Sequence, residues 1–361
     1  MRDSMAMSID ERMALVMRNA EELVTEDELR RLLTEKEEPT AYIGFEPSGL
    51  VHFGWALVTQ KIRDLCEAGF RVTIFWADWH ARINDKLGGD LDNIRTCARY
   101  MEDCFMALGV PADRVVFRYA SDLVADPDYW EMVIKIGKVT SMARVKRTMT
   151  IMGRGEDDAD KDTAKVLYPL MQTADIFFMD IDLAYAGMDQ RRIHMLAKEV
   201  SKDLGRDRPL VALHTPLLPS LNGVDLKMSK SDPNNSINIH DNRDSIAKKI
   251  KKAYCPDPKN PGDNDMSETK NPMLMMAKYV IFPRNGGLHI NRPDKYGGPI
   301  DFADYDSLKE AYYGCNLSPV DLKSGVVDEL AKTLEPVSKY FEENPENYEA
   351  MVAVLKKLGK L

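Results

Sequence analysis

The chain has 361 residues, 44% of them apolar and 30% charged, and carries a net charge of −9. This suits one large or two medium globular domains and argues against a wholly basic nucleic-acid-binding surface. No apolar run approaches the roughly 20 residues of a membrane span, and the charged segment 1–12 lacks the apolar stretch of a secretion signal. The five cysteines, Cys66, Cys97, Cys104, Cys255 and Cys315, have no CxxC spacing. The expected setting is a reduced cytoplasm with buried thiols and no metal site.

Residues 9–35 read as an amphipathic helical region. Apolar, β-rich runs follow at 41–45, 71–77, 114–118, 181–185 and 209–213. They alternate with helical patterns at 52–67, 91–108, 127–149 and 188–203. Such βα alternation predicts an α/β fold with a doubly wound parallel sheet. There is no GxGxxG, so a dinucleotide-binding version of that fold is the weaker reading. Beyond residue 235 the β pattern fades. Helical patterns at 241–254, 271–280, 306–313, 319–334 and 345–358 predict a smaller all-helical domain. The expected division is an α/β part at 1–222, a loop at 223–234 and a helical part at 235–361.

Three stretches carry chemistry. Glu46-Pro-Ser-Gly-Leu-Val-His-Phe-Gly-Trp55 joins the run 41–45 to a helix, so a strand, a tight turn and a helix N-terminus offer an anion site, though alone this is also the pattern of an ordinary βα turn. His52 stands where the helix begins and can donate to phosphate. Gly54 leaves room for close approach. Tyr168, Gln172 and Asp175, spaced i, i+4, i+7, form a narrow polar stripe on an otherwise apolar helix. A buried helix of that kind needs partners for the stripe, from a ligand or from a structural network. Lys227-Met228-Ser229-Lys230-Ser231 places two lysines three apart in a Gly- and Asp-containing segment. Alone it is also the pattern of a solvated turn. Beside the first motif it offers cations to a polyphosphate. Two basic clusters are candidate backbone contacts for nucleic acid: Lys135, Lys138, Arg144, Lys146, Arg147, and Lys248, Lys249, Lys251, Lys252.

The first and third motifs resemble the HIGH and KMSKS signatures of class I aminoacyl-tRNA synthetases. With Ala41–Gly49, Tyr168–Asp175 and Gly187–Ala197 they resemble the tyrosyl enzymes of archaeal and eukaryotic type, from the first helix to about residue 335. The chain departs from the signature at Trp55, where a second histidine is often found. Indole offers one N–H and no charge.

The resemblance implies tyrosine–tRNA ligation, with L-tyrosine, ATP with Mg²⁺ and tRNA(Tyr) as partners and no tightly bound cofactor. It implies that Tyr42 and Asp175 hold the substrate phenol, that Tyr168, Gln172 and Gln190 hold its amino-acid end, and that Phe75, Ala77 and His80 line the ring side. Glu46, His52, Gly54, Gly187, Asp189 and residues 227–231 would face ATP, with His52, Lys227 and Lys230 on the phosphates. Arg191 and Arg192 would meet the acceptor stem, and Tyr296 and Asp321 an anticodon base. A homodimer through about 120–160 is also implied. A tryptophanyl enzyme is the runner-up, but indole has no use for a donor such as Tyr42 beside Asp175. A tRNA-independent nucleotidyltransferase would lack a use for the helical part, and a catalytically idle RNA-binding protein would have no need of an intact KMSKS loop.

Overall fold

The structure, a computed structural model, describes residues 7–149, 162–223 and 235–361. Capping residues set where many helices begin. Ser8 and Glu11 form a capping box at α1 (Ile9–Met17), and Thr25 with Glu28 forms another at α2 (Glu26–Glu35). Between them lies a three-residue strand, β1 (Glu22–Val24). The chain continues through β2 (Thr40–Phe45), α3 (Trp55–Glu67), β3 (Arg71–Trp76), α4 (Asp78–Ile83), α5 (Leu91–Ala107) and β4 (Val115–Tyr119). Next come α6 (Ala120–Val124), α7 (Pro127–Val139), α8 (Met142–Met149), α9 (Ala164–Phe178), β5 (Leu183–Gly187), α10 (Arg191–Val200) and β6 (Val211–Thr215).

The six strands lie in the order β1-β6-β5-β2-β3-β4, all parallel except β1, which pairs antiparallel with β6. The chain winds from β2 outward to β4, returns, and then winds the other way through β5 and β6. The order reverses between β2 and β5, so a crevice opens at the carboxyl ends of those two strands, where open α/β sheets bind ligands. The two faces carry separate cores. One buries Ile43, Ile74 and Trp76 against α3 and α5; the other buries Tyr42, Phe75 and Ala184 against α7 and α9.

The region after residue 235 contains α11 (Arg243–Lys252), α12 (Pro272–Met276), α13 (Phe282–Asn285), α14 (Tyr305–Tyr313), α15 (Pro319–Glu343) and α16 (Glu346–Lys357). It is not wholly helical: β7 (Leu288–Ile290) and β8 (Ile300–Phe302) form an antiparallel ribbon. Three residues per strand are too few to print an alternation on the sequence. Gly325 of α15 lets the ribbon approach closely, since a Cβ there would meet Ile290 Cγ1 at 2.7 Å. The apolar residues of α11, α12 and α15 continue the core on the α3 and α5 side of the sheet.

A buried pair, His194 Nδ1 and His214 Nε2 at 3.0 Å, ties α10 to β6. Burial, with His214 close by, holds the His194 ring down at about 3. Its unfolded value is about 6.5, so between these limits the unfolded chain binds a proton that the folded one refuses. The folded state therefore keeps its full stability above about pH 6.5 and loses it as pH falls. At pH 5 the loss is about 2 kcal/mol for this one group. Urea unfolding at pH 7.5 and pH 5 should show a smaller acid penalty in His194→Gln than in the wild type. An equal penalty in both would refute the assignment.

Candidate active site

Strand β2 runs into the turn Glu46–Gly54, and β5 runs into Met188–Gln190, so both meet at the reversal point of the sheet. Between them opens a cleft of about 1540 Å³. Its walls include Tyr42, Glu46, His52, Gly54, Ala77, His80, Tyr168, Gln172, Asp175, Gly187, Asp189 and Gln190. Residues far apart in the chain thus line one cleft. Phe75 differs. It is fully buried but stands behind the wall, its ring 6.0 Å from Tyr42 and 6.4 Å from His80. Residues 227–231 lie outside the described residues.

The floor of the cleft holds a carboxyl group in an apolar setting. Asp175 is 1% exposed. Its Oδ1 accepts from the Tyr129 hydroxyl at 2.8 Å, while its Oδ2 has no hydrogen-bond partner. His80 Nε2 lies 3.2 Å from Oδ2 without hydrogen-bond alignment, and both His80 ring nitrogens are likewise unpaired. Burial pushes Asp175 well above the usual carboxylate range and holds His80 down at about 3, a neutral imidazole. Buried polar atoms left unpaired cost about 1–3 kcal/mol each. Their convergence on one wall of a cleft marks a place where a ligand's polar group completes the set. Gln172 Oε1 is a further unpaired atom, while its Nε2 donates to Gln190 Oε1 at 3.2 Å.

Tyr129 was not among the sequence candidates. It sits on amphipathic α7, where a buried tyrosine reads as ordinary core, and only the packing of α7 on α9 brings it to Asp175. Tyr42 owes its position to a glycine. It folds along β2 so closely that a Cβ on Gly44 would lie 2.8 Å from the Tyr42 hydroxyl. Burial, reinforced by nearby Asp175, raises the Tyr42 phenol, which keeps its proton.

Glu46 is a hub at the cleft's edge. It accepts from the Tyr168 hydroxyl at 2.6 Å and from Asn84, and pairs with Lys86 at 3.7 Å. Asn84, Lys86 and Lys165, which also line the cleft, were not identified from the sequence. His52 accepts the Gly54 N–H at Nδ1 over 3.1 Å, which assigns the ring proton to Nε2. The His52 ring itself needs Gly54 to lack a side chain, because a Cβ there would lie 2.8 Å from His52 Cε1 and Nδ1. Trp55 is packed on Phe45 with ring centroids 4.6 Å apart, and Phe105 meets it edge-on.

The expected RNA-facing residues are held as follows. Arg191 makes a bidentate pair with Glu22 at 2.7 Å, and Arg192 donates to the Arg147 carbonyl at 2.9 Å. Tyr296 is 60% exposed in the turn between β7 and β8, with Lys295 over its ring. Asp321 accepts from Ser318 Oγ at 2.8 Å, and the Asp321 N–H donates back to Ser318 Oγ at 3.1 Å, which caps α15. Lys249 departs from its expected place on a basic face. It pairs with Asp241 at 2.6 Å and lines the cleft.

A doubly wound sheet, a HIGH-like turn at its reversal point and a polar pocket beside that turn define a class I synthetase. The chain belongs to the family of class I tRNA synthetases (W and Y), whose description it matches over residues 34–335. A tyrosine–tRNA ligase of Saccharolobus islandicus is 43% identical, over 97% of this chain and 99% of that one. The tyrosyl-tRNA synthetase structure from Aeropyrum pernix has a TM-score of 0.85 at 42% identity, covering 96% of this chain and 98% of that one. The Archaeoglobus fulgidus enzyme, solved with L-tyrosine, has a TM-score of 0.84 at 40% identity, covering 92% and 99%.

Proposed function

We infer that this chain is a tyrosine–tRNA ligase. The tyrosine carboxylate attacks the α-phosphate of ATP, pyrophosphate leaves, and the tyrosyl group passes from the adenylate to a ribose hydroxyl at the 3′ end of tRNA(Tyr). No protein nucleophile takes part. Catalysis consists of positioning and charge stabilisation. The observation that carries this reading is the unpaired Asp175 Oδ2 beside His80, in the same cleft as Tyr42 and His52. A phenol both donates and accepts. It can give its proton to Oδ2 and accept from Tyr42. Indole can do only the first, which disfavours tryptophan as the substrate.

In this reading Tyr168, Gln172 and Gln190 hold the amino-acid end, and Ala77 and His80 flank the ring. Glu46, Gly54, Gly187 and Asp189 face the nucleotide. His52, with Lys227 and Lys230, takes the phosphate charge, and Met228, Ser229 and Ser231 complete that loop. Mg²⁺ travels on the phosphates of the substrate. The catalytic part spans 1–222 and the tRNA-reading part 235–361. A homodimer forms through α7 and α8, where Ile134, Val139 and Met142 are 63%, 47% and 56% exposed. Three large apolar side chains exposed on adjacent helices fit a face that a second copy covers. No helix among the described residues is long and apolar enough to cross a membrane, and the proposed setting is the cytoplasm.

ATP–pyrophosphate exchange with each amino acid tests the activation half, and charging of tRNA tests the transfer half. Tyrosine alone should support both; exchange driven by tryptophan, or absent with every amino acid, would overturn the reading. The proposal includes anticodon recognition by Tyr296 and Asp321. Asp321→Ala should weaken charging of tRNA(Tyr) by about tenfold, the worth of one base-edge contact, and leave exchange intact. Ser318→Ala removes the cap and keeps the carboxylate, so an equal loss in that variant would assign Asp321 to helix capping alone.

A further inference from the structure

Helix α16 lies beyond residue 335, where the family match ends. It packs on α5, and its Tyr348 and Leu355, with Lys360 just past its end, stand among the residues lining the cleft. Tyr348 stacks on His240, with centroids 4.0 Å apart at 27°. The His240 ring lies 2.9 Å, Nε2 to Oη, from Tyr100. The same Tyr100 oxygen accepts the backbone N–H of Val51 at 3.3 Å. Val51 immediately precedes His52. A line of contacts therefore runs from α16 to the turn that carries the phosphate-facing histidine.

Tyr100 Oη accepts from Val51. Its own proton can go to His240 Nε2. That requires a neutral imidazole, and burial holds His240 at about 4, well below neutral pH. The turn is gripped from its other side as well. Phe53 N–H donates to Ile237 O at 2.7 Å, and Ile239 N–H donates to Val51 O at 3.2 Å. Segment 237–239 thus pairs with the His52 turn, and His240 follows it directly. Tyr348 stacks on the His240 ring at the end of that segment.

We propose that α16 is a working wall of the nucleotide subsite, with Tyr348 a positioning residue that fixes the His52 turn through His240 and Tyr100. The residue acts on ATP and not on tyrosine, because the line ends at the turn and does not reach Asp175. The inference rests on the reading of this cleft as the ATP site. Wild-type tyrosine-dependent exchange tests that reading, and the variants below test the inference alone.

Tyr348→Ala removes the stack. In ATP–pyrophosphate exchange it should raise KM for ATP about five- to tenfold, while the Kd for tyrosine measured without ATP stays at the wild-type value. Tyr348→Phe keeps the stack and should restore the wild-type KM. His240→Phe keeps the aromatic column but removes the acceptor for Tyr100, and should raise KM for ATP as Tyr348→Ala does. A wild-type KM for ATP in Tyr348→Ala would overturn the proposal. So would an equal weakening of tyrosine binding in that variant, which is the signature of a merely structural helix. A wild-type KM in His240→Phe would overturn the role of the hydrogen-bonded line.

Discussion

Asp175→Ala should lower kcat/KM for tyrosine in ATP–pyrophosphate exchange about 100-fold and erase most of the preference for tyrosine over phenylalanine. In the proposed reading the variant removes the acceptor for the substrate phenol. It also strips Tyr129 of its 2.8 Å partner and leaves a void beside His80. A hydrogen bond to such a group and the cost of an orphaned donor together reach about 3 kcal/mol, or roughly 100-fold. Phenylalanine never used the acceptor, so its own rate should change little, and the ratio of the two rates is the decisive quantity. Tyr129→Phe is the milder companion. It leaves Asp175 in place without its orienting donor, and about a tenfold loss in tyrosine activation is expected from one such bond. KM for ATP should hold in both variants. An unchanged tyrosine-to-phenylalanine ratio in Asp175→Ala would mean that the phenol is held elsewhere.

How much of this was legible depends on whether the signal was local. The parallel strands were visible because each is a short apolar run bounded by turns, and β2, β3, β4, β5 and β6 fall within two residues of the predicted runs. The Tyr168–Asp175 stripe was visible because helical periodicity puts it on one face, and all three residues do line the cleft. β1 was hidden inside the helical region 9–35. It has three residues, all half-buried, squeezed between two capped helices. The predicted helix 127–149 breaks between Val139 and Met142, where Thr140 adopts an extended conformation. The helix predicted to end at Leu334 instead runs to Glu343, carrying Pro336 within it. The residues that complete the site, Tyr129, Asn84, Lys86 and Tyr348, lie on elements distant in sequence from those they touch. Nothing in their own neighbourhood distinguishes them from core or surface. Trp55 shows the same limit: its departure from the family signature could be read, but its packing on Phe45 and Phe105 could not.

The glycine next to that tryptophan allows a sharp test of the phosphate side. Gly54 has φ −54° and ψ −20°, a conformation that alanine adopts without strain. Gly54→Ala should therefore fold normally, with thermal unfolding near that of the wild type. The added Cβ would nevertheless fall 2.8 Å from His52 Cε1 and Nδ1, well inside van der Waals contact. Either the imidazole rotates away or the turn shifts, and in both cases the 3.1 Å bond from Gly54 N–H to Nδ1 is disturbed. If His52 Nε2 donates to phosphate charge as it develops, displacing the ring resembles removing the donor. Loss of one preorganised donor of that kind costs about 2.7–4 kcal/mol, or roughly 100- to 1,000-fold in rate. Single-turnover formation of tyrosyl-adenylate should fall by about that factor in Gly54→Ala and in His52→Ala alike. Tyrosine affinity should hold in both, because Asp175 and its neighbours are untouched. The double variant should be no slower than either single one, since the second change removes nothing that remains. Wild-type adenylate formation in Gly54→Ala, or a fully additive double variant, would separate the glycine from the histidine, and wild-type adenylate formation in His52→Ala would leave His52 without the assigned role.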